Sequence, residues 1–433
     1  MFARIFAAAF LFLNFALAAS AEPYTQRQLE TWVDGVLAEM KKAGATNTDR
    51  GAVTYDTASG AFSVTDIKIT LPEFSEHAET KTDTTSKKID IKREPVVLTI
   101  ANISASGLKA DGADWMAEKL QIKSLRLQTP AKPGALIVDS FSFDNIKAPQ
   151  IAATLLGKEP GKQVAAFLQN ASFDNGVMPS IVLVENEKDS KSGRFTLGEM
   201  RMTGYVKGKA ATYTIADSTG SIDVDAKDVS ANKKDGAKEH VDIKIGASKT
   251  TEFDLGLYAD MFQTTPVNAG KKDLPLYKEA SFTGASVKIG KDFSMTLNPI
   301  TAENVRLNMP KKGLAAIFET LFSTMQHPDE HDKNGEELFE NYREWTGIVS
   351  YDSLDSKGVS LKTDDTQFDM KSISGKDIGT TIGQLTVGNF SITSPELKMA
   401  FDSINLEKIN TTTFYQALLE EMAKNKENPD FKA

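Results

Sequence analysis

The chain carries four histidines, His77, His240, His327 and His331, and no cysteine. Without a thiol, disulfides, thiolate metal sites, iron–sulfur clusters and cysteine nucleophiles are excluded. One histidine spacing could hold a metal. His327-Pro328-Asp329-Glu330-His331 matches H-x-x-E-H, the inverted zinc-peptidase signature. That chemistry needs both imidazoles on one helical face, gripping the ion, with the glutamate activating water. Pro328 and the neighbouring Asp329, Asp332, Asn334 and Gly335 give this stretch the composition of a loop. His327, Glu330 and His331 are therefore a candidate metal set, but the expectation is a solvated acidic loop with no metal.

Other chemical signatures are poorer still. Gly284-Ala285-Ser286-Val287-Lys288 approaches a nucleophile elbow but lacks the second glycine and lies in a strand-like run. No phosphate-cradling glycine loop follows a strand. Asp223, Asp225 and Asp228 have the residue type of calcium ligands without the closing glutamate of an EF-hand loop. Carboxylate pairs for glycoside hydrolysis could be drawn from 59 acidic residues, but Trp32, Trp115 and Trp345 are the only tryptophans and advertise no sugar-stacking cleft. The expectation is a protein that is not an enzyme and holds no cofactor.

Composition narrows the class further. The 433 residues carry a formal charge of −9 and are 40% hydrophobic and 25% charged, an ordinary globular balance. An acidic chain lacks the basic face that nucleic acid requires, so no nucleic-acid partner is expected. Residues 1–21 have the form of a cleavable leader: Arg4, the apolar stretch Ile5–Leu17, then Ala19-Ser20-Ala21 before Glu22. The apolar stretch is shorter than the roughly 20 residues that span a bilayer. The expectation is export to the periplasm, with no stable transmembrane anchor after cleavage.

The elements that would position any site are mostly strands. Thr25 and Gln28 have capping-box spacing, and Leu29, Trp32, Val33, Val36, Leu37 and Met40 then recur on one helical face up to Gly44. Similar faces occur at Leu314–Met325 and Phe414–Met422, and shorter helix candidates at Val164–Leu168, Leu255–Phe262 and Glu336–Trp345. Between them apolar residues alternate with polar ones, as in Phe62 and Val64, Ile67 and Ile69, Leu120–Leu127, Phe195–Val206 and Ile382–Ile392. The polar stretches Glu76–Lys88, Glu185–Gly193, Lys233–Glu239 and His327–Gly335 predict exposed loops.

Three repetitions stand out. Gly51–Thr57 is echoed by Gly347–Ser353, and Ser142–Asn145 by Ser172–Asn175. Asparagine also precedes an apolar residue near strand ends at Asn102, Asn145, Asn304, Asn389 and Asn405, where its tolerance of left-handed backbone would be useful. Together they suggest duplicated strand–helix modules near residues 25–150 and 313–433. The expected fold class is α+β but predominantly β: long, curved, mostly antiparallel sheets with a few amphipathic helices. The expected layout is a leader at 1–21, an N-terminal helix with a β-rich region at 22–270, and a second β-rich region at 271–433 with helices near 313–326 and 411–425.

The strand vocabulary, for example Val64-Thr65-Asp66-Ile67-Lys68-Ile69-Thr70-Leu71-Pro72 and Ala302-Glu303-Asn304-Val305-Arg306-Leu307-Asn308-Met309-Pro310, resembles that of AsmA-like envelope proteins and other repetitive β-groove proteins of the periplasm. The resemblance covers residues 50–310 and 347–410. It implies a groove that holds or moves lipid, here without the family's lasting membrane anchor, and therefore a soluble carrier or accessory factor. Ile67, Ile69, Leu71, Val305 and Leu307 are the expected groove lining. The alternative is an envelope scaffold with a protein partner, its sheet faces closed by its own helices and no small ligand.

Overall fold

The computed structural model describes residues 24–42, 44–71, 76–82, 85–91, 95–112, 114–128, 134–149, 168–185, 193–225, 238–261, 263, 265–313, 348–379 and 381–410. The leader and the helices expected near 313–326 and 411–425 lie outside these residues. The chain is predominantly β, and every strand pair with a described register is antiparallel. It forms two compact units, Met1–Asp242 and Ile243–Ala433.

The first unit opens with helix α1 (Gln26–Lys42). Its start is a reciprocal capping box: the Thr25 N–H donates to Gln28 Oε1 at 2.8 Å, and the Gln28 N–H donates to Thr25 Oγ1 at 3.2 Å. All six residues of the expected apolar face are buried. Gly44, at φ 106°, ends the helix with its N–H on the Lys41 carbonyl. The helix packs against β1 (Asn47–Asp49) and β2 (Val53–Asp56). Gln26 Nε2 donates to the Val53 carbonyl at 2.6 Å, and the Arg50 guanidinium grips Asp34 through two bonds of 2.7 and 3.0 Å.

Behind the helix run the long antiparallel strands β3 (Ala61–Leu71), β6 (Val96–Ser106), β8 (Asp114–Gln128) and β9 (Ala135–Pro149), paired in that order. Further strands β10 (Ser172–Met178), β13 (Met200–Val206) and β14 (Lys209–Ile215) continue the pairing from β9. One expectation is corrected. Glu76–Lys88 is not a loop but most of a two-stranded hairpin, β4 (Glu76–Thr82) on β5 (Thr85–Ile91).

In the second unit, β17 (Ser248–Asp254) leads into the short helix α2 (Leu255–Met261). The strands β18 (Leu274–Phe282), β21 (Ile300–Leu307), β22 (Val349–Ser356), β24 (Gln367–Ile378), β25 (Thr381–Thr393) and β26 (Lys398–Asn410) then pair in succession. Asp260, fully buried in α2, organises the loop that follows. It accepts from the Val267 and Asn268 N–H groups at 2.7 and 2.9 Å and from the Asn268 side chain at 2.9 Å.

Both units share one backbone device. Asp66, Ser124, Asn145, Asn304, Asp377, Asn389 and Lys408 lie inside strands yet have φ between 49° and 54°. At each, the ladder skips the pair and resumes in the same register on the far side, although just beyond Asn304 the β18 ladder also shifts by one between Pro275 and Tyr277. Thr65 pairs with Asn102 and Ile67 with Ile100, for instance, leaving Asp66 opposite Ala101. The skipped positions line up across strands: Asp66, Ala101, Ser124 and Asp139 in the first unit, and Asn304, Asp352, Asp377, Gly383 and Lys408 in the second. Left-handed residues occupy alternate strands of each row. Their pleat inversion shifts the apolar alternation by one. In β8 the buried residues are Trp115, Ala117, Leu120, Ile122, Leu125 and Leu127, a two–three rhythm. Asparagine and aspartate suit these positions because their side chains tolerate left-handed backbone. Three of the five asparagines singled out in the sequence, Asn145, Asn304 and Asn389, do this, within strands.

Candidate functional site

The expected groove residues fall in both units. Ile67 and Ile69 are buried in the first, with 1% and 0% exposure, and Leu71 is half-buried beside them. Val305 and Leu307 are buried in the second, both at 0%. The four buried side chains have almost no surface open to solvent. They form the inner faces of β3 and β21, opposite Ile100, Leu98, Tyr277 and Leu274. His327, Glu330 and His331 lie outside the described residues. Among the described residues no group of three potential ligands could hold a metal. Gly284–Lys288 sits at the start of β19 (Ala285–Ile289), a strand and not a strand-to-helix elbow.

The repeated Ser-Phe-Asp-Asn stretches sit on neighbouring strands, where Phe143 and Phe173 meet at 4.7 Å and Phe173 stacks on Tyr205 at 4.5 Å. Asn145 Nδ2 donates to Asp174 Oδ2 at 2.7 Å. Gly176 leaves room for the rings, since a Cβ there would lie 2.9 Å from Phe173. This repeat builds core. Asp223 meets His240: the His240 Nδ1 to Asp223 Oδ1 distance is 2.7 Å, and the Asp223 hydrogen bond raises the imidazole pKa.

Two surfaces remain open. The first is apolar. On β26, Phe401, Ile404 and Leu406 are 45%, 36% and 41% exposed. Phe401 extends a row of rings, Phe368 to Phe390 at 5.3 Å and Phe390 to Phe401 at 6.0 Å. Leu397, in the preceding turn, is 49% exposed. β26 pairs with β25 and, among the described residues, with no other strand.

The second is a cleft of about 480 Å³ on the outer face of β3, β6, β8 and β9, with charged side chains on its walls and a largely apolar lining. Its walls are two cross-strand rows. One is the pleat-inverting row Asp66, Ala101, Ser124 and Asp139. The other, two residues along each strand, is Lys68, Thr99, Arg126 and Ile137. Between them Ile67, Ile100, Leu125 and Val138 point inward and are buried. Sequence reading missed this site because its residues come from four strands, and only the register brings them together.

No family model, curated protein or solved structure matches the chain.

Proposed function

We propose that the chain is an exported, non-enzymatic β-rich protein that binds an amphiphile, or assists lipid handling in the cell envelope, through an apolar surface. The observation that carries this reading is the open strip Phe401, Ile404 and Leu406 with its row of rings on β24–β26. Contiguous exposed apolar surface marks a site for a lipid, a membrane or a partner. Acyl chains suit it, because Phe401, Ile404 and Leu406 offer hydrocarbon and one aromatic ring to whatever covers them. The leader-like residues 1–21 and the AsmA-like strand vocabulary support the cellular setting. The closed interior of the first unit, where Ile67 and Ile69 are sealed, favours the second reading, an envelope scaffold with no small ligand.

The test is native mass spectrometry of protein purified gently from the periplasm. Bound lipid is expected in the wild type and lost in Phe401→Asp, with the unfolding midpoint unchanged. If the wild type carries no lipid, and a hydrophobic dye binds it no better than a closed globular control, the scaffold reading stands.

A further inference from the structure

Among the described residues β26 is an edge strand, and it is bare. Every residue from Ala400 to Lys408 is exposed, whereas most of β25, with a strand on each side, is half-buried. The outward N–H and C=O groups of such an edge are a template for another strand.

The pleat-inverting rows say what that strand must look like. Along a row, left-handed residues alternate with ordinary ones from strand to strand. In the first unit one row runs through left-handed Asn145, ordinary Asp174, left-handed Gly204 and ordinary Ala211 on β9, β10, β13 and β14. In the second unit a row runs through left-handed Asn304, Asp352, left-handed Asp377, Gly383 and left-handed Lys408. A further row there runs through Lys371, left-handed Asn389 and Asp402. Two rows therefore reach the edge of β26, one ending on left-handed Lys408 and the other on ordinary Asp402. To continue both, the next strand needs an ordinary residue opposite Lys408 and a left-handed one opposite Asp402, six positions apart.

β26 itself carries that pair. Turned antiparallel about Asn405, the midpoint, a second copy of the strand sets its Asp402 opposite Lys408 and its Lys408 opposite Asp402. The remaining pairs then match by face. Ile404 meets Leu406, Phe401 meets Ile409, and Ser403 meets Glu407. Asp402 and Lys408 make no side-chain bond among the described residues, and here they meet as opposite charges, which stabilises a cross-strand pair. Joining Asp402 to Asp402, or Lys408 to Lys408, would set like charges together and break the alternation of each row.

We propose that β26 is a self-association edge, through which two copies of this chain pair antiparallel about Asn405. The contact is two-fold and uses up the β26 edge of both copies, so it closes at a dimer. It sets Phe401, Ile404 and Leu406 of the two copies side by side on one sheet face. It does not rest on the lipid reading.

Sedimentation velocity of the full chain over a concentration series is the first test, and a dimer is expected. Asp402→Lys and Lys408→Asp each place two like-charge pairs in the contact and should weaken the dimer by about tenfold. The double variant Asp402→Lys/Lys408→Asp should restore it, and unchanged thermal midpoints show that the fold is intact. The register is read by cross-linking, since the chain has no cysteine of its own. Asn405→Cys meets its own copy at about 4.5–5.5 Å between Cα atoms and should form a disulfide on oxidation. Ser403→Cys alone should not, because the two copies of that residue stand about 13 Å apart, but it should link to Glu407→Cys when the two variants are mixed. A monomer at every concentration, a dimer that Asn405→Cys does not cross-link, or a double variant as weak as the single ones overturns the proposal. So does a full chain that dimerises only when ended at Asn410, which would assign the edge to residues 411–433. Native mass spectrometry keeps the two readings apart: a cross-linkable dimer without lipid supports this proposal and sinks the lipid reading alone.

Discussion

The two units use the same device to different ends. Both contain rows where alternate strands turn left-handed and the pleat inverts. In the first unit the inner side of that row is a sealed core: Ile67, Ile69, Leu98, Ile100, Ile103 and Trp115 have at most 1% exposure. In the second, Val305 and Leu307 are sealed, but the alternation carried out to β26 reaches solvent at Phe401, Ile404 and Leu406. The outer sides are reversed. In the second unit Asp352 is held by Asn304 and Arg306, whereas in the first Asp66, Lys68 and Asp139 make no side-chain bond among the described residues. Backbone geometry thus sets where the sheet inverts, and side-chain choice decides whether the result is core, paired surface or open site. An apolar group gains free energy only when water is removed from it, at roughly 25 cal/mol per Å². The same apolar rhythm is therefore stabilising in β8 and largely unspent in β26.

The largest effect that would sharpen this contrast is at Trp115, which is fully buried in β8. Trp115→Ala removes a large ring and leaves a cavity, and is expected to cost about 3–5 kcal/mol. Phe401→Ala, on the open strip, should stay within about 1 kcal/mol because little buried area is lost. Urea unfolding followed by circular dichroism reads both. Similar losses at the two positions would mean that the strip is covered, and the contrast would break.

How much of this could be read from the sequence depends on how local the signal is. The capping box at Thr25 and Gln28, the six-residue face of α1 and its stop at Gly44 are local, and all are present as read. The asparagine pattern carried the left-handed backbone at 145, 304 and 389, but not its place within strands. The pleat inversion also hid β26. Met399, Phe401, Ile404, Leu406 and Ile409 follow the two–three rhythm, which averages between the periods of strand and helix, and so fits neither template. The β4–β5 hairpin was missed for a different reason: Glu76–Thr82 has one apolar residue, Ala78, and so no alternation to detect. The cleft was illegible, because Lys68 and Arg126 become neighbours only through the β3–β6–β8 register.

The left-handed positions give a mid-sized prediction. Ser124 in the first unit and Asn304 in the second have φ of 53° and 49°. A β-branched residue there pays the left-handed penalty, so Ser124→Val and Asn304→Val should each cost about 1–2 kcal/mol. Glycine carries no such penalty. Ser124→Gly should be nearly neutral, while Asn304→Gly also loses the bond to Asp352 and should fall between. Chemical denaturation of the four variants checks the ordering. Valine tolerated as well as glycine at both sites would mean that the inversion does not depend on left-handed backbone.

The smallest effect tests the paired row itself. Hydrogen bonds from Arg306 and Asn304 hold the Asp352 carboxyl below its usual pKa of 3.8. A carboxylate with a depressed folded pKa contributes stability above its unfolded pKa, and that contribution is lost as pH falls through the folded value. The wild type should therefore lose part of its thermal stability as pH drops from about 5 to below 4. Asp352→Asn cannot ionise, so its melting temperature should fall less over that range, although it starts lower at pH 7. Other paired carboxylates contribute in the same direction, Asp111 with Lys147 among them, so the comparison is a difference of slopes and not the loss of all pH dependence. The carboxylate is exposed and the pair is screened, so the difference should shrink further in high salt. Differential scanning calorimetry at low and high ionic strength measures it. Identical slopes for Asp352→Asn and wild type at low salt would show that the second unit's row draws nothing from its pairing, and the distinction from the open cleft of the first unit would then rest on shape alone.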